Sequence, residues 1–244
     1  LYLTLYLQNY LGYAPLAAGL RYLPITLLAF LVGPIAGALL SRAPARALLS
    51  VGLAMTGVGL LLMSGIQAGS EWTTLLGGFL VAGAGVGLLN PVIANLAVSV
   101  APNQHSGMAA GINDTFRQVG IAVGIAVWGS ILVGRGADKL AELLAGTPAA
   151  SGERPRELIE AASSGSLDQA LAAVAPSARQ IVANAAGDGF LTGLNAVLTL
   201  AALLSFAGAL LVLWLVREHE IQRPPLEPER QPQSDEALPE AADA

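Results

Sequence analysis

Asp114 and Arg117 lie in the middle of Gly107–Gly134, a run long enough to cross a bilayer and otherwise nearly free of charge. No other ionisable side chain sits so deep in a long apolar stretch of this chain. A charge at bilayer depth costs at least ~2.5–3.5 kcal/mol on insertion scales, so such groups are paired, turned inward and used. Asp114 and Arg117 are three residues apart and can pair directly. Asn113 precedes Arg117 by four residues and Asp114 precedes Gln118 by four, so on a helix all of them fall within an arc of about 140°. A face of that kind must look into protein or into water. Arg117 stands about 15 Å from the start of the run, too deep for easy escape to the surface. The chemistry this suits is a cavity wall or gate, with the carboxylate exchanging a proton when substrate or conformation breaks its pair with the guanidinium. The same residues also suit a permanent, internally neutral pair that locks the helix against its neighbours.

The elements that must hold this face are membrane spans. The chain has 244 residues, of which 54% are hydrophobic and only 12% charged, with a mean hydropathy of +0.62. A soluble domain carries roughly twice that charged share. The apolar residues come in blocks rather than stripes, which points to lipid as the solvent. Complete spans are expected at about Leu20–Leu40, Ala47–Ile66, Thr73–Val100, Gly107–Gly134 and Phe190–Val216. Ahead of them Leu1–Leu11 already reads as apolar helix, without a charged n-region or a cleavage site, so it is no signal peptide. The chain is read as a fragment that opens partway through a transmembrane helix.

The expected organisation is therefore an all-α integral membrane protein with a transmembrane helical bundle over residues 1–217. A long loop at 135–189 is expected to carry short surface helices near Glu153–Ala162 and Leu167–Val174. Residues 218–244 are rich in Pro, Glu and Gln and read as a disordered tail. Lysine and arginine set the orientation. Arg42, Arg46, Arg217 and Arg223 place the Ser41–Arg46 turn and the tail in the cytoplasm and the long loop outside, although Arg21, Arg135 and Lys139 pull the other way.

Glycine spacing suggests close packing. Gly83, Gly85 and Gly87 precede Asn90 and Pro91, and Gly107/Gly111 and Gly120/Gly124 are pairs four apart, a spacing that lets helix backbones approach. Pro91 removes a donor and crowds the carbonyl of Gly87, so a bend is expected there, either a hinge for alternating access or a static kink. Asn90 and Asn95 can hydrogen-bond across helices near that bend, and Gln8, Asn9 and Tyr10 can form a rim where the first helix emerges.

Composition also excludes. There is no cysteine, and His105 and His219 lie outside the apolar blocks, so neither thiol chemistry nor a metal site is expected. The net charge of −5 leaves no nucleic-acid footprint. An intramembrane enzyme wants a Ser/His, paired-Asp or metal constellation at depth, and none is present. No cofactor is implied. A non-transporting scaffold or truncated product stays open.

The segment Gly37-Ala-Leu-Leu-Ser-Arg-Ala-Pro-Ala-Arg46 resembles the cytoplasmic-loop signature of the major facilitator superfamily, G-x-L-x-D-R-x-G-x-R. Gly37, Leu39, Arg42 and Arg46 match, whereas Ser41 replaces the Asp and Pro44 the second Gly. Leu7–Pro15 with Ala18–Pro24, Gly83–Pro91, and Gly107–Gly129 with Asn113–Gln118 at its centre are similar, in order, to the C-terminal half of drug:proton antiporters of the fourteen-helix type. That resemblance implies the C-terminal six-helix bundle of a major facilitator fold, its first helix partial, in the cytoplasmic membrane. It implies proton-driven export of drugs or other amphipathic molecules, with lipid, a small-molecule substrate, protons and an N-terminal bundle as partners. Asp114 falls where the family more often carries an uncharged residue, so the resemblance does not make it the coupling site.

Overall fold

The computed structural model describes residues 1–99, 102–145 and 154–215. The tail with Arg217, Arg223 and His219 lies outside the described residues, as do residues 146–153. Every regular element among the described residues is a helix. A short α1 (Tyr2–Leu5) runs into a π-helical turn (Tyr6–Tyr10). There follow α2 (Pro15–Arg21), α3 (Leu23–Leu39), α4 (Ala45–Met63), α5 (Leu76–Ser99) and α6 (Ser106–Leu144). Two short helices, α7 (Pro155–Ser164) and α8 (Leu167–Ala172), lead into α9 (Arg179–Leu215). Among the described residues four helices are long and apolar enough to span a bilayer, and α2 with α3, bent by 43° at the break between them, would make a fifth if the pair is one broken span.

Two expectations about connections need correcting. Gly12–Gly19 is not simply a turn, because Pro15 opens α2. Proline fits the first helical turn, where its missing N–H is not needed. Pro24 does the same for α3, so the span begins earlier than Leu20 and breaks at Tyr22. Residues 135–189 are also not mainly loop. α6 runs on to Leu144 and α9 begins at Arg179, while α7 and α8 lie close to the two surface helices expected.

At 1.5 Å per residue, the 39 residues of α6 and 37 of α9 reach about 58 and 55 Å, against a hydrocarbon core of about 30 Å. Both overhang on the same side, where α6 ends and α9 starts. There they run antiparallel so closely that a Cβ on Gly189 would lie 2.7 Å from the Gly136 carbonyl oxygen and 2.8 Å from Ile159 of α7. Leu140, Leu144, Leu158, Ile159 and Val182 are buried between these helices, forming a helical cap beyond the bundle.

The spans themselves are drawn together by small residues. Gly83 and Gly87 rest on the backbone of Ile25 and Ala29 in α3, whereas Gly85 faces Gly52 and Thr56 of α4. Glycines two apart on α5 thus admit helices on two different sides. Leu27, Phe30, Leu31 and Ile35 of α3 and Leu203, Leu204, Leu210 and Trp214 of α9 are exposed. Contiguous apolar exposure on this scale suits contact with lipid tails.

Candidate functional site

The expected polar face forms on α6, which carries Asn113, Asp114, Arg117 and Gln118 within one uninterrupted helix. Arg117 Nε donates to Asp114 Oδ1 at 3.1 Å, and Nη2 donates to the same oxygen. Among the described residues no hydrogen bond joins Asn113 to Arg117 or Asp114 to Gln118. The ion pair is not sealed: the Arg117 and Asp114 side chains are 60% and 57% exposed. Its surroundings are also uncovered, since only 6% of the apolar stretch of α6 is buried against the rest of the chain, compared with 39% for α4.

That exposure has two distinct sides. On a helical projection Gly107, Gly111, Gly120 and Gly124 share a half of α6 with Asn113, Asp114, Arg117 and Gln118. Met108, Ile112, Phe116, Val119 and Val123 occupy the opposite half, while the exposed Ile121 and Ile125 fall on the half with the glycines and polar groups. A Cβ placed on Gly107, Gly111 or Gly120 would meet nothing within 4 Å. The large apolar half is suited to lipid. The other half carries the polar groups together with Ile121 and Ile125, and it is indented and open at Gly107, Gly111 and Gly120.

The remaining predicted positions lie elsewhere. Asn90 and Asn95 are exposed on α5 and make no hydrogen bond across helices among the described residues. Pro91 lies inside a continuous α5, and Gly87, expected at a hinge, is buried against Ala29 of α3. Gly37, Leu39 and Arg42 are exposed around the tight turn between α3 and α4, where Ser41 Oγ donates to the Ala38 carbonyl and the Arg42 amide to that of Leu39. Arg46 is exposed one residue into α4, which starts after Pro44.

The opposite end of the bundle holds polar groups that sequence reasoning passed over. Five residues of the first ten each reach a different part of the chain. Tyr2 donates to the Ile125 carbonyl, Thr4 to the Tyr22 hydroxyl, Tyr6 to the Ser70 carbonyl and Asn9 to the Ser163 carbonyl, while Tyr10 stacks on Phe190. Only the rim residues Asn9 and Tyr10 were expected to matter. Arg21 lies 3.6 Å above the ring of Tyr13 and 5.4 Å from that of Trp72, and its Nη1 donates to the Ala17 carbonyl. Asn195 of α9 accepts from the Gly65 and Ile66 amides at 3.0 Å each and donates to the Ile66 carbonyl at 2.7 Å. The signal for Asn195 was a lone amide near the start of an apolar block.

A family model described as the Major Facilitator Superfamily matches residues 1–135. The chain belongs to that family. The matched segment ends where α6 leaves the bilayer-sized part of the fold, so the cap lies beyond it. The chain is 37% identical over 129 residues to the multidrug resistance protein Stp of Mycobacterium tuberculosis, covering 53% of this chain and 24% of that protein. It is 31% identical over 137 residues to a tetracenomycin C resistance and export protein of Streptomyces glaucescens, covering 56% and 26%. It is 33% identical over 139 residues to a probable actinorhodin transporter of Streptomyces coelicolor, covering 55% and 24%. The alignments span about a quarter of the length of these relatives. As a facilitator-superfamily chain, it is an all-helical, multi-pass membrane protein.

Proposed function

We propose that this chain is the C-terminal bundle of a secondary active exporter, which moves drugs or other amphipathic small molecules out across the cytoplasmic membrane. The observation that carries the reading is the two-sided first half of α6. A helix surrounded by lipid alone gains nothing from a face of glycines, amides and an ion pair, and a charge there is costly. A second helical bundle meeting that face across a watery path makes use of both its polarity and its small residues. The resistance and export functions for which the relatives are named fit this class of activity.

On this reading Asn113, Arg117 and Gln118 line the path and meet substrate, while Asp114 holds Arg117 or yields it when a proton arrives. Proton coupling and alternating access belong to the proposal, as does the partner bundle. Asn90, exposed on α5, is assigned to the same path. The Ser41–Arg46 turn faces the cytoplasm and the cap faces outward, which follows the excess of arginine in short loops on the turn's side.

The test uses the full-length gene in an exporter-deficient host. Arg117→Ala is expected to abolish resistance and dye efflux while membrane abundance stays at the wild-type level. Arg117→Lys keeps partial export if charge alone matters, since lysine lacks the planar fork of the guanidinium. Wild-type export by the Ala variant at equal abundance overturns the assignment. Export that persists after the proton gradient is collapsed removes the proton from it.

A further inference from the structure

A cleft of about 150 Å³ opens where the first helix meets the cap, bounded by Asn9 and Tyr10, by Ala162 at the end of α7, by Leu167 and Asp168 of α8, and by Phe190 of α9. Its polar side chains, Asn9, Tyr10 and Asp168, can each accept a hydrogen bond. Asn9 spends its Nδ2 on the Ser163 carbonyl at 2.6 Å, which leaves Oδ1 as the free end of the amide. That oxygen lies against Gly165, where a Cβ would come within 3.0 Å and where φ is +78°, so only glycine lets the α7–α8 turn approach so closely. Tyr10 is stacked between Tyr6 and Phe190, with ring centroids 5.5 and 6.2 Å away, so its faces are occupied and its hydroxyl is the group it can offer. Among the described residues that hydroxyl has no hydrogen-bond partner, and Asp168 has neither a hydrogen bond nor an ion pair. Asp188, next to Gly187 on the cleft wall, lies near enough for its charge to act on Tyr10.

Nearby cations do not answer these acceptors. Arg179 is committed to the Val174 and Ala172 carbonyls at 3.0 Å each, and Arg154 to Glu157 at 2.8 Å. Ala162, Leu167 and Phe190 supply an apolar wall beside the oxygens. An engineered cavity of about this volume holds a benzene-sized guest. The cleft is therefore too small for a polycyclic drug and large enough for a small amine or one ring of a larger molecule.

We propose that this cleft binds the ammonium group of a primary or secondary amine, with Asp168, the Tyr10 hydroxyl and Asn9 Oδ1 accepting its N–H hydrogens. Because the aromatic faces are already covered, recognition runs through N–H donation rather than cation–π contact. A quaternary ammonium of the same bulk is therefore a poor ligand. The binding step stands by itself. Its meaning as an outward-facing station for amine-bearing substrates rests on the exporter reading above.

The experiment uses the full chain in detergent micelles and saturation-transfer NMR with three probes: benzylammonium, benzyltrimethylammonium and benzyl alcohol. Benzylammonium is expected to bind best. Asp168→Asn should weaken it about tenfold, the loss of one charge-assisted contact, and Tyr10→Phe should weaken it less. Glu160→Gln, an exposed acid of α7 outside the cleft, should leave it unchanged. Circular dichroism identifies any variant that fails to fold, and Asp168 is exposed, so its amide variant retains the fold. Equal binding by wild type and Asp168→Asn overturns the proposal, and so does a quaternary or neutral probe that binds as well as benzylammonium. If Asp168-dependent binding persists in a protein whose Arg117→Ala variant still exports, the α6 reading fails and this site stands. Export that requires Arg117, alongside binding that ignores Asp168, overturns this site and leaves the α6 reading standing.

Discussion

Gly87→Ala distinguishes a hinge from a clamp. A methyl group at this position would lie 2.6 Å from the Ala29 carbonyl oxygen, 2.9 Å from Ala29 Cα and 3.0 Å from Val32 Cβ. Ordinary contact begins near 3.4 Å, so α3 and α5 must separate by about 0.8 Å or one of them must bend. Radial gaps of 0.5–1 Å forfeit about a quarter to a half of each van der Waals well along the interface. Overpacking of this kind costs about 1–3 kcal/mol, and alanine's better helix propensity returns up to about 1. The net expectation is a loss of up to about 2 kcal/mol, or up to about 8 °C in melting temperature for a chain of this size. The assay is thermal unfolding in micelles followed by far-UV circular dichroism. Gly134→Ala on α6 serves as control, because a Cβ there meets nothing within 4 Å and the substitution should be neutral or stabilising. A Gly87→Ala protein that melts at or above wild type refutes the clamp. If it also transports slowly, a hinge at Pro91 is the better account of Gly87.

Other variants test separate parts of the fold. Asn195→Ala removes the partner of two amides and one carbonyl at the end of α4, and should cost about 1–3 kcal/mol in the same melt. Asn195→Asp, which retains the acceptor and loses the donor, should fall between Ala and wild type. Arg21→Lys should lower the melting temperature nearly as much as Arg21→Ala, because lysine cannot lie flat on Tyr13 as guanidinium does; full rescue by lysine would reduce the contact to simple charge. Gly120→Leu should leave the melt of this chain unchanged, since no neighbour stands within 4 Å, yet abolish export by the full-length protein by filling the indented face. Normal export by that variant would mean that no helix approaches there.

The spans were legible because their signal is local. Blocks of about twenty apolar residues mark α4, α5 and the membrane portions of α6 and α9 within a few residues. The connections were less legible, because proline and glycine have two meanings. Pro15 reads as a breaker but begins a helix, and Gly136, which looks like the edge of a loop, lies within a helix packed against Gly189. What decides Gly136 is a residue 53 positions later, which no window on the sequence contains. Gly87 is similar, since its partner Ala29 lies two spans earlier. The arc of Asn113, Asp114, Arg117 and Gln118 was legible from helical spacing, and the Asp114–Arg117 pair formed as expected. Its extension by the open glycines emerged only when the structure separated glycines that touch a neighbour from glycines that do not.

That separation divides the bundle. Gly52, Gly59, Gly78, Gly83, Gly85 and Gly87 join α3, α4 and α5 backbone to backbone, and Gly136, Gly189 and Gly193 do the same for α6 and α9. The two groups meet mainly where α4 packs on α9, with Gly57 against Ala202 and Phe206. α6 follows α5 in sequence but packs chiefly on α9. Packed interfaces switch between discrete arrangements more readily than they deform. A tilt of α6 with α9 and the cap would therefore have to shift the α4–α9 packing, which is as extensive as that between α6 and α9. Such a tilt would carry the α7–α8 turn with it, and Asn9 and Tyr10 bind that assembly to the first helix. The acceptor-lined cleft thus lies at the joint that such a motion would load.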